Sequence, residues 1–216
     1  FDSQLNDEEK LVRQTAREFV ENEIIPIIEK HSREATFPVE LVPQLGELGF
    51  FGASLQGYGC AGMSSVAYGL MTQELERGDS GIRSFVSVQS ALVMYPIYAF
   101  GSDAQKNHWL PQLQQGKKIG CFGLTEPHHG SDATHMETRA VPAVRDNVKG
   151  WILNGEKMWT TGMHVATHCA LFARTSGNDG DARGITCFLV PAKSPGVKVE
   201  EYMWTFNMPT DHPRVS

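Results

Sequence analysis

The feature that most constrains this chain is a change of rhythm at Gly116. Before it, apolar residues recur at helical spacing, and helix-capping residues sit at the starts of the runs. After it, short apolar runs at 119–124, 152–153, 169–172, 185–190 and 197–199 alternate with turn residues such as Arg145-Asp146-Asn147 and the stretch from Ser176 to Gly180. That is strand-and-turn composition. A helical half followed by a strand half predicts an α+β protein, with a boundary near Lys117 that divides residues 1–117 from 118–216.

The helical half divides further. Asn6 or Asp7 caps a first helix, with Glu8 and Glu9 at its positive end, and Leu11, Thr15, Phe19 and Val20 keep helical spacing. Pro26 is expected to bend or end that helix. A second helix is predicted over 39–48, closed by Gly49, and Gly57, Gly59 and Gly62 mark a loop. Ser64 or Ser65 opens a third helix reaching about Arg77. Residues 78–81 form a short break before an apolar helix through Ala99. Ser102 and Asp103 cap a last helix that ends near Gln115, with Gly116 as its stop.

Composition excludes some classes. A net charge of −6 argues against a nucleic-acid face, which would be basic. No apolar run approaches the roughly 20 residues that a membrane span needs. Cys60, Cys121, Cys169 and Cys187 are widely spaced with no CxxC pair, which reads as reduced structural thiols of a cytoplasmic or matrix protein. The start at Phe1 rather than Met is compatible with processing, including loss of an organelle transit peptide.

Two segments of the strand half carry chemistry. The run from Cys121 to Asp132 reads as a strand end followed by a polar turn. Leu124 and Thr125 offer backbone groups and a hydroxyl, and Pro127 stops the ladder. Gly130 permits positive φ or close backbone approach, and Ser131 and Asp132 present short oxygens. Such a turn can hold a flat polar heterocycle and a phosphate together. In the second segment, Lys157 to Gly162, the indole of Trp159 precedes the hydroxyls of Thr160 and Thr161. An indole can cover one face of an aromatic cofactor while hydroxyls bond its edge. In the helical half, Glu76 and Arg83 lie seven residues apart across the 78–81 break, which points them from two helix ends into a common space. Spacing alone also fits a solvated face carrying Glu74, Glu76, Arg77 and Arg83.

These segments, in this order, resemble the acyl-CoA dehydrogenase family. The stretches from Glu74 to Ser90, Leu92 to Tyr98 and Gly57 to Gly62 are similar to its glutaryl-CoA dehydrogenase branch. The resemblance covers essentially the whole chain. It implies a helical N-terminal domain, then a small β-barrel middle domain; the family's C-terminal helical domain has no counterpart here. It implies FAD, held by Phe122, Leu124, Thr125, Gly130 and Ser131 on one side and by Trp159, Thr160 and Thr161 on the other. Thr160 departs from the family, which usually has Ile there, and its extra hydroxyl needs a partner if buried.

The resemblance also implies an acyl-CoA substrate lined by Glu76, Arg83, Ser84, Ser87 and Ser131, with Arg83 on the terminal carboxylate. An arginine fork suits that anion, and burying it unpartnered would be costly. Electrons would pass to an electron-transfer flavoprotein, and the full-length enzyme would be a homotetramer in a bacterial cytoplasm or a mitochondrial matrix. The family's general base, a glutamate, belongs to its C-terminal domain, so no catalytic residue is assigned in this chain, and residues 1–216 alone are expected to turn nothing over. Two alternatives stand: another short-chain dehydrogenase, whose Arg83 serves structure, or an acyl-CoA desulfinase relative, which could also use such an arginine; and a truncated, non-catalytic flavoprotein-like binding module. His128-His129 and the His164/His168 pair invite a metal. Gly162, Val165 and Thr167 do not favour a helix there and no third ligand is evident, so no metal site is assigned. Glu137, Thr138 and Arg139 read as a solvated strand face.

Overall fold

The computed structural model describes residues 2–205 and 212–216. The helical half begins with α1 (Asp7–Phe19), closed at its start by a capping box between Asn6 and Glu9. A π-helical turn, Val20–Ile24, leads into α2 (Ile25–Glu34) and then α3 (Val42–Glu47). Next come α4 (Ser65–Gly78), capped by Ser64, and α5 (Ser80–Ser87), capped by Asp79. A second π-helical segment, Val88–Met94, passes into α6 (Tyr95–Phe100), and α7 (Asp103–Gln114) is capped by Ser102 and followed by left-handed Gly116.

Two expectations need correction. Pro26 does not end the helical path. A proline ring clashes with the carbonyl four residues back and offers no N–H. The chain accommodates this with a wider turn in which the Ile25 N–H reaches the Val20 carbonyl. The same device precedes Pro96, where the Tyr95 N–H reaches the Ser90 carbonyl. The break expected over 78–81 is also narrower. Only Asp79 leaves helical geometry, ending α4 and capping α5 through a 2.8 Å bond from the Ile82 N–H.

The strand half contains β1 (Gly120–Gly123), β2 (Arg139–Arg145), β3 (Val148–Asn154), β4 (His168–Arg174), β5 (Ile185–Pro191), β6 (Val199–Tyr202) and β7 (Pro213–Val215). β1 runs parallel to β4, and β5 pairs antiparallel with β4. Asp146 and Asn147, both left-handed, close the β2–β3 hairpin. The expected β-barrel is not found closed among the described residues. β2 joins β4 through one pair, Arg139 and Arg174, and β6–β7 form a separate two-stranded ladder.

Apolar side chains from both sides of the chain's midpoint join the halves. The main core gathers Val20, Ile24, Phe51, Met71, Leu75 and Met94, and extends to Ile119 just before β1. A smaller cluster under the sheet holds Cys121, Met163, Cys169 and Val215. Gln89, fully buried in the second π segment, donates to the carbonyls of Leu113 (3.0 Å) and Lys118 (2.9 Å) and accepts from the Gly120 N–H (2.8 Å). This one side chain fixes the first residue of β1 to the helices.

Candidate functional site

The strand end after β1 and the turn at Lys157–Gly162 are far apart in sequence but adjacent in space. The Met158 N–H donates to the Thr125 carbonyl at 2.8 Å. Lys157 crosses the same gap, its Nζ lying 3.1 Å from the Leu124 carbonyl and 2.7 Å from Glu126 Oε1. The tip of the first turn, Pro127-His128, is closed by reciprocal bonds between Glu126 and His129 at 3.0 and 3.2 Å. The turn then continues through exposed Gly130 and Ser131. Gly130 does not adopt positive φ, and a side chain there would meet nothing within 4 Å, so the fold itself does not require glycine at this position. Asp132 accepts from the Thr134 hydroxyl (2.9 Å) and from His135 Nδ1 (2.6 Å), and the His135 bond is the main reason its carboxyl stays below the usual range.

Trp159 has a left-handed backbone, φ 59°, uncommon for a bulky residue. Its indole is 44% exposed despite the surrounding buried residues, so the turn holds a large apolar ring toward solvent. The backbone around it is fixed by Met158 on Thr125, by the Thr160 N–H on the Pro213 carbonyl (3.1 Å) and by the Thr161 N–H on the Trp159 carbonyl (2.9 Å). Thr161 Oγ1 lies 2.7 Å from His212 Nδ1. Thr160 is buried, and its hydroxyl finds no hydrogen-bond partner among the described residues, as the departure from an aliphatic residue at that position foreshadows. Phe122 points from β1 onto Phe172, ring centres 5.1 Å apart.

The charges on α4 and α5 split into two groups. Glu74 is buried and accepts from Arg17 Nη2 (2.7 Å), Arg17 Nε (3.2 Å) and Arg77 Nε (3.0 Å), which ties α4 to α1. Glu76 and Arg83 meet across the Asp79 break, with both side chains partly exposed, as on a solvated face. Arg83 Nε donates to Glu76 Oε2 at 2.5 Å, and Ser80 donates to Oε1 at 2.5 Å. These bonds, Ser80 first and Arg83 second, hold the Glu76 carboxyl low. Ser87 sits 3.5 Å from Arg83 Nη1 and donates to the Ser84 carbonyl at 2.9 Å, so Ser84 enters the cluster through its backbone. Burial raises the nearby Tyr68 hydroxyl, and Arg83 partly offsets this. Phe37 packs on both Phe85 of α5 (4.9 Å) and His164 (5.0 Å), which links the Arg83 helix to the loop after Trp159.

Glu126 and Lys157 were not assigned roles from the sequence. Lys157 is the single charge in its motif, but the first motif carries both Glu126 and Asp132, so the sequence does not say which carboxylate it meets. The histidine pairs do not assemble a metal site. Among the described residues no group of three His, Cys, Asp or Glu side chains is placed to hold an ion. No helix of the described residues is long and apolar enough to cross a membrane.

A helical domain feeds a mixed β domain, and a strand-end turn is bonded to the segment that carries an exposed indole, which defines an α+β scaffold. Residues 6–117 match the acyl-CoA dehydrogenase N-terminal domain and residues 121–211 its middle domain. The chain belongs to the acyl-CoA dehydrogenase family. The crystal structure of a glutaryl-CoA dehydrogenase from Mycobacterium smegmatis superposes with TM-score 0.89 at 46% identity, covering 100% of this chain and 54% of that one. A second structure of a glutaryl-CoA dehydrogenase from Mycobacterium smegmatis, in complex with FADH2, gives 0.88 at 45%, covering 99% and 53%. The mitochondrial short-chain specific acyl-CoA dehydrogenase of Rattus norvegicus is 36% identical over 195 residues, 90% of this chain and 46% of that enzyme. The chain thus spans about half the length of these relatives.

Proposed function

We propose that this chain serves an FAD-dependent acyl-CoA dehydrogenase that oxidises glutaryl-CoA between its α and β carbons, with an electron-transfer flavoprotein as electron acceptor. The residues present fit a flavin. An exposed indole on a fixed left-handed turn offers a face, and the strand end bonded to that turn through the Thr125 carbonyl carries a hydroxyl of its own. The open side of Gly130 and the exposed Ser131 leave room for a phosphate or a thioester. When bound, FAD supplies the acceptor for the β-hydride. The chain's own residues orient the ring and the acyl group.

The observation that carries the substrate reading is the placement of Arg83. Glu76 engages Nε, and the terminal nitrogens have one long contact among the described residues, to Ser87 at 3.5 Å. A terminal carboxylate can take those nitrogens while Glu76 and Ser87 hold the fork in place. No group in this chain is assigned as the base that removes the α-proton. Glu126, the carboxylate nearest the turn, has both oxygens committed to Lys157 and to the N–H groups of Glu137 and Thr138. Loss of the terminal carboxylate as CO2 is compatible with the same arginine, as is oxidation without it.

In the full-length protein, Arg83→Ala should cost about 1.5–3 kcal/mol in kcat/KM for glutaryl-CoA, the range for a hydrogen bond to a charged group, because the Arg83 side chain is 34% exposed. Butyryl-CoA, which lacks the carboxylate, should change little. Equal losses on both substrates would reject Arg83 as the anchor. They would favour a second reading, supported by the Glu76–Arg83 bond itself: a short-chain dehydrogenase in which the pair only joins α4 to α5.

A further inference from the structure

The buried pair Glu126–Lys157 invites a role that the cofactor reading does not by itself supply. Both side chains are 3% exposed, and they meet at 2.7 Å. Glu126 is fully satisfied: Oε1 also accepts from the Thr138 N–H (3.0 Å), and Oε2 accepts from the Glu137 N–H (2.5 Å). Lys157 is held at both ends. Its backbone exchanges two 2.8 Å bonds with Val215 of β7, and its ammonium also reaches the Leu124 carbonyl at 3.1 Å. Burial lowers the lysine, whereas the carboxyl, which burial alone would raise, is held low by Lys157 and the backbone N–H groups.

A buried ion pair contributes little to net stability, because desolvation offsets the attraction. Its value lies in geometry, since breaking it strands a charge. Here the pair joins the residue after Thr125 to the residue two before Trp159, the two walls that the flavin reading needs. Thr125 precedes Glu126, and Met158, bonded to Thr125, lies between Lys157 and the left-handed Trp159. We propose that Glu126 and Lys157 are positioning residues that fix the spacing of the Thr125 and Trp159 walls, so that the indole is set before a cofactor arrives. The proposal rests on the flavin reading for its consequence, but the spacing itself is a property of the ligand-free chain.

The test uses the full-length protein with Glu126→Gln, Lys157→Met, and the double substitution Glu126→Leu with Lys157→Met. Two properties are measured at saturating FAD: affinity, and the fluorescence yield of the bound flavin, which a stacked indole quenches. Each single variant should weaken FAD at least tenfold and raise the yield of the bound flavin severalfold. The apolar double variant should recover the melting temperature but not the flavin signature, which separates positioning from mere stability. Wild-type affinity and yield in both single variants, or a double variant that restores both, would overturn the proposal. Should Lys157→Met fail to fold, Glu126→Gln, which keeps the volume and removes only the charge, decides alone. Amide exchange at Met158 in ligand-free protein separates this proposal from the flavin reading. Faster exchange in the variants supports the clamp even if no flavin binds, and unchanged exchange refutes it.

Discussion

Replacing Gln89 with methionine should loosen the joint between helices and sheet by a predictable amount. Methionine keeps nearly the same volume, so the cavity contribution is small. It leaves the Gly120 N–H and the carbonyls of Leu113 and Lys118 without the side-chain bonds they have at 2.8, 3.0 and 2.9 Å. The Lys118 group is near enough to the surface for water to replace its partner. The Leu113 carbonyl keeps the Gly116 N–H at 3.1 Å, so the Gly120 N–H is the stranded buried group and the loss should be about 2 kcal/mol. For a chain of 216 residues that corresponds to a melting temperature lower by about 4–8 °C. Urea unfolding followed by circular dichroism gives the free energy directly. Gln89→Glu sharpens the test. It places a carboxyl against two carbonyl oxygens, so the group must bind a proton to stay buried. That variant should be less stable than Gln89→Met at neutral pH and should recover as pH falls. A loss below about 1 kcal/mol for Gln89→Met, or no pH difference between the variants, would refute the assignment of Gln89 as the joint.

Further expectations concern the same joint and the α1–α4 clamp. A Cβ at Gly120 would collide with Val93 Cγ1 and sit 2.8 Å from Cγ2, so Gly120→Ala should cost about 1–3 kcal/mol, and Val93→Ala should relieve most of that strain in a double-mutant cycle; simple additivity would contradict the contact. Glu74 titrates below its ordinary value: burial pushes it up, but the hydrogen bonds from Arg17 and Arg77 override it. Its contribution is therefore complete above the unfolded value of about 4.3 and is lost as pH falls from there through the lower folded value. Glu74→Gln should flatten that acid limb in pH-dependent unfolding, and an unchanged slope would contradict the clamp.

Much of the helical half is legible because its signals are local. Asn6, Ser64 and Ser102 cap the helices they precede, and Asp146-Asn147 marks the hairpin. The π turns before Pro26 and Pro96 are not legible, because the chain resolves each proline by packing rather than by stopping. β7 is missed since the short run Pro213–Val215 has no periodicity to read. The barrel's closure, not found among the described residues, is illegible for a related reason: strand closure is a matter of edges and register, which composition does not encode. At the site, the aromatic and hydroxyl residues are readable from their motifs. The Glu126–Lys157 pair joins residues 31 apart, and nothing local announces it.

The central claim is that a flavin ring lies against Trp159 and that a carboxylate-bearing thioester reaches Arg83. Anaerobic titration of the full-length flavoprotein with glutaryl-CoA, followed at the flavin absorbance band, tests both at once. The account predicts bleaching of the band in the wild type, greatly weakened bleaching in Arg83→Ala, and restored bleaching of that variant with butyryl-CoA. A protein that carries no flavin, or one bleached by butyryl-CoA but untouched by glutaryl-CoA, would contradict it.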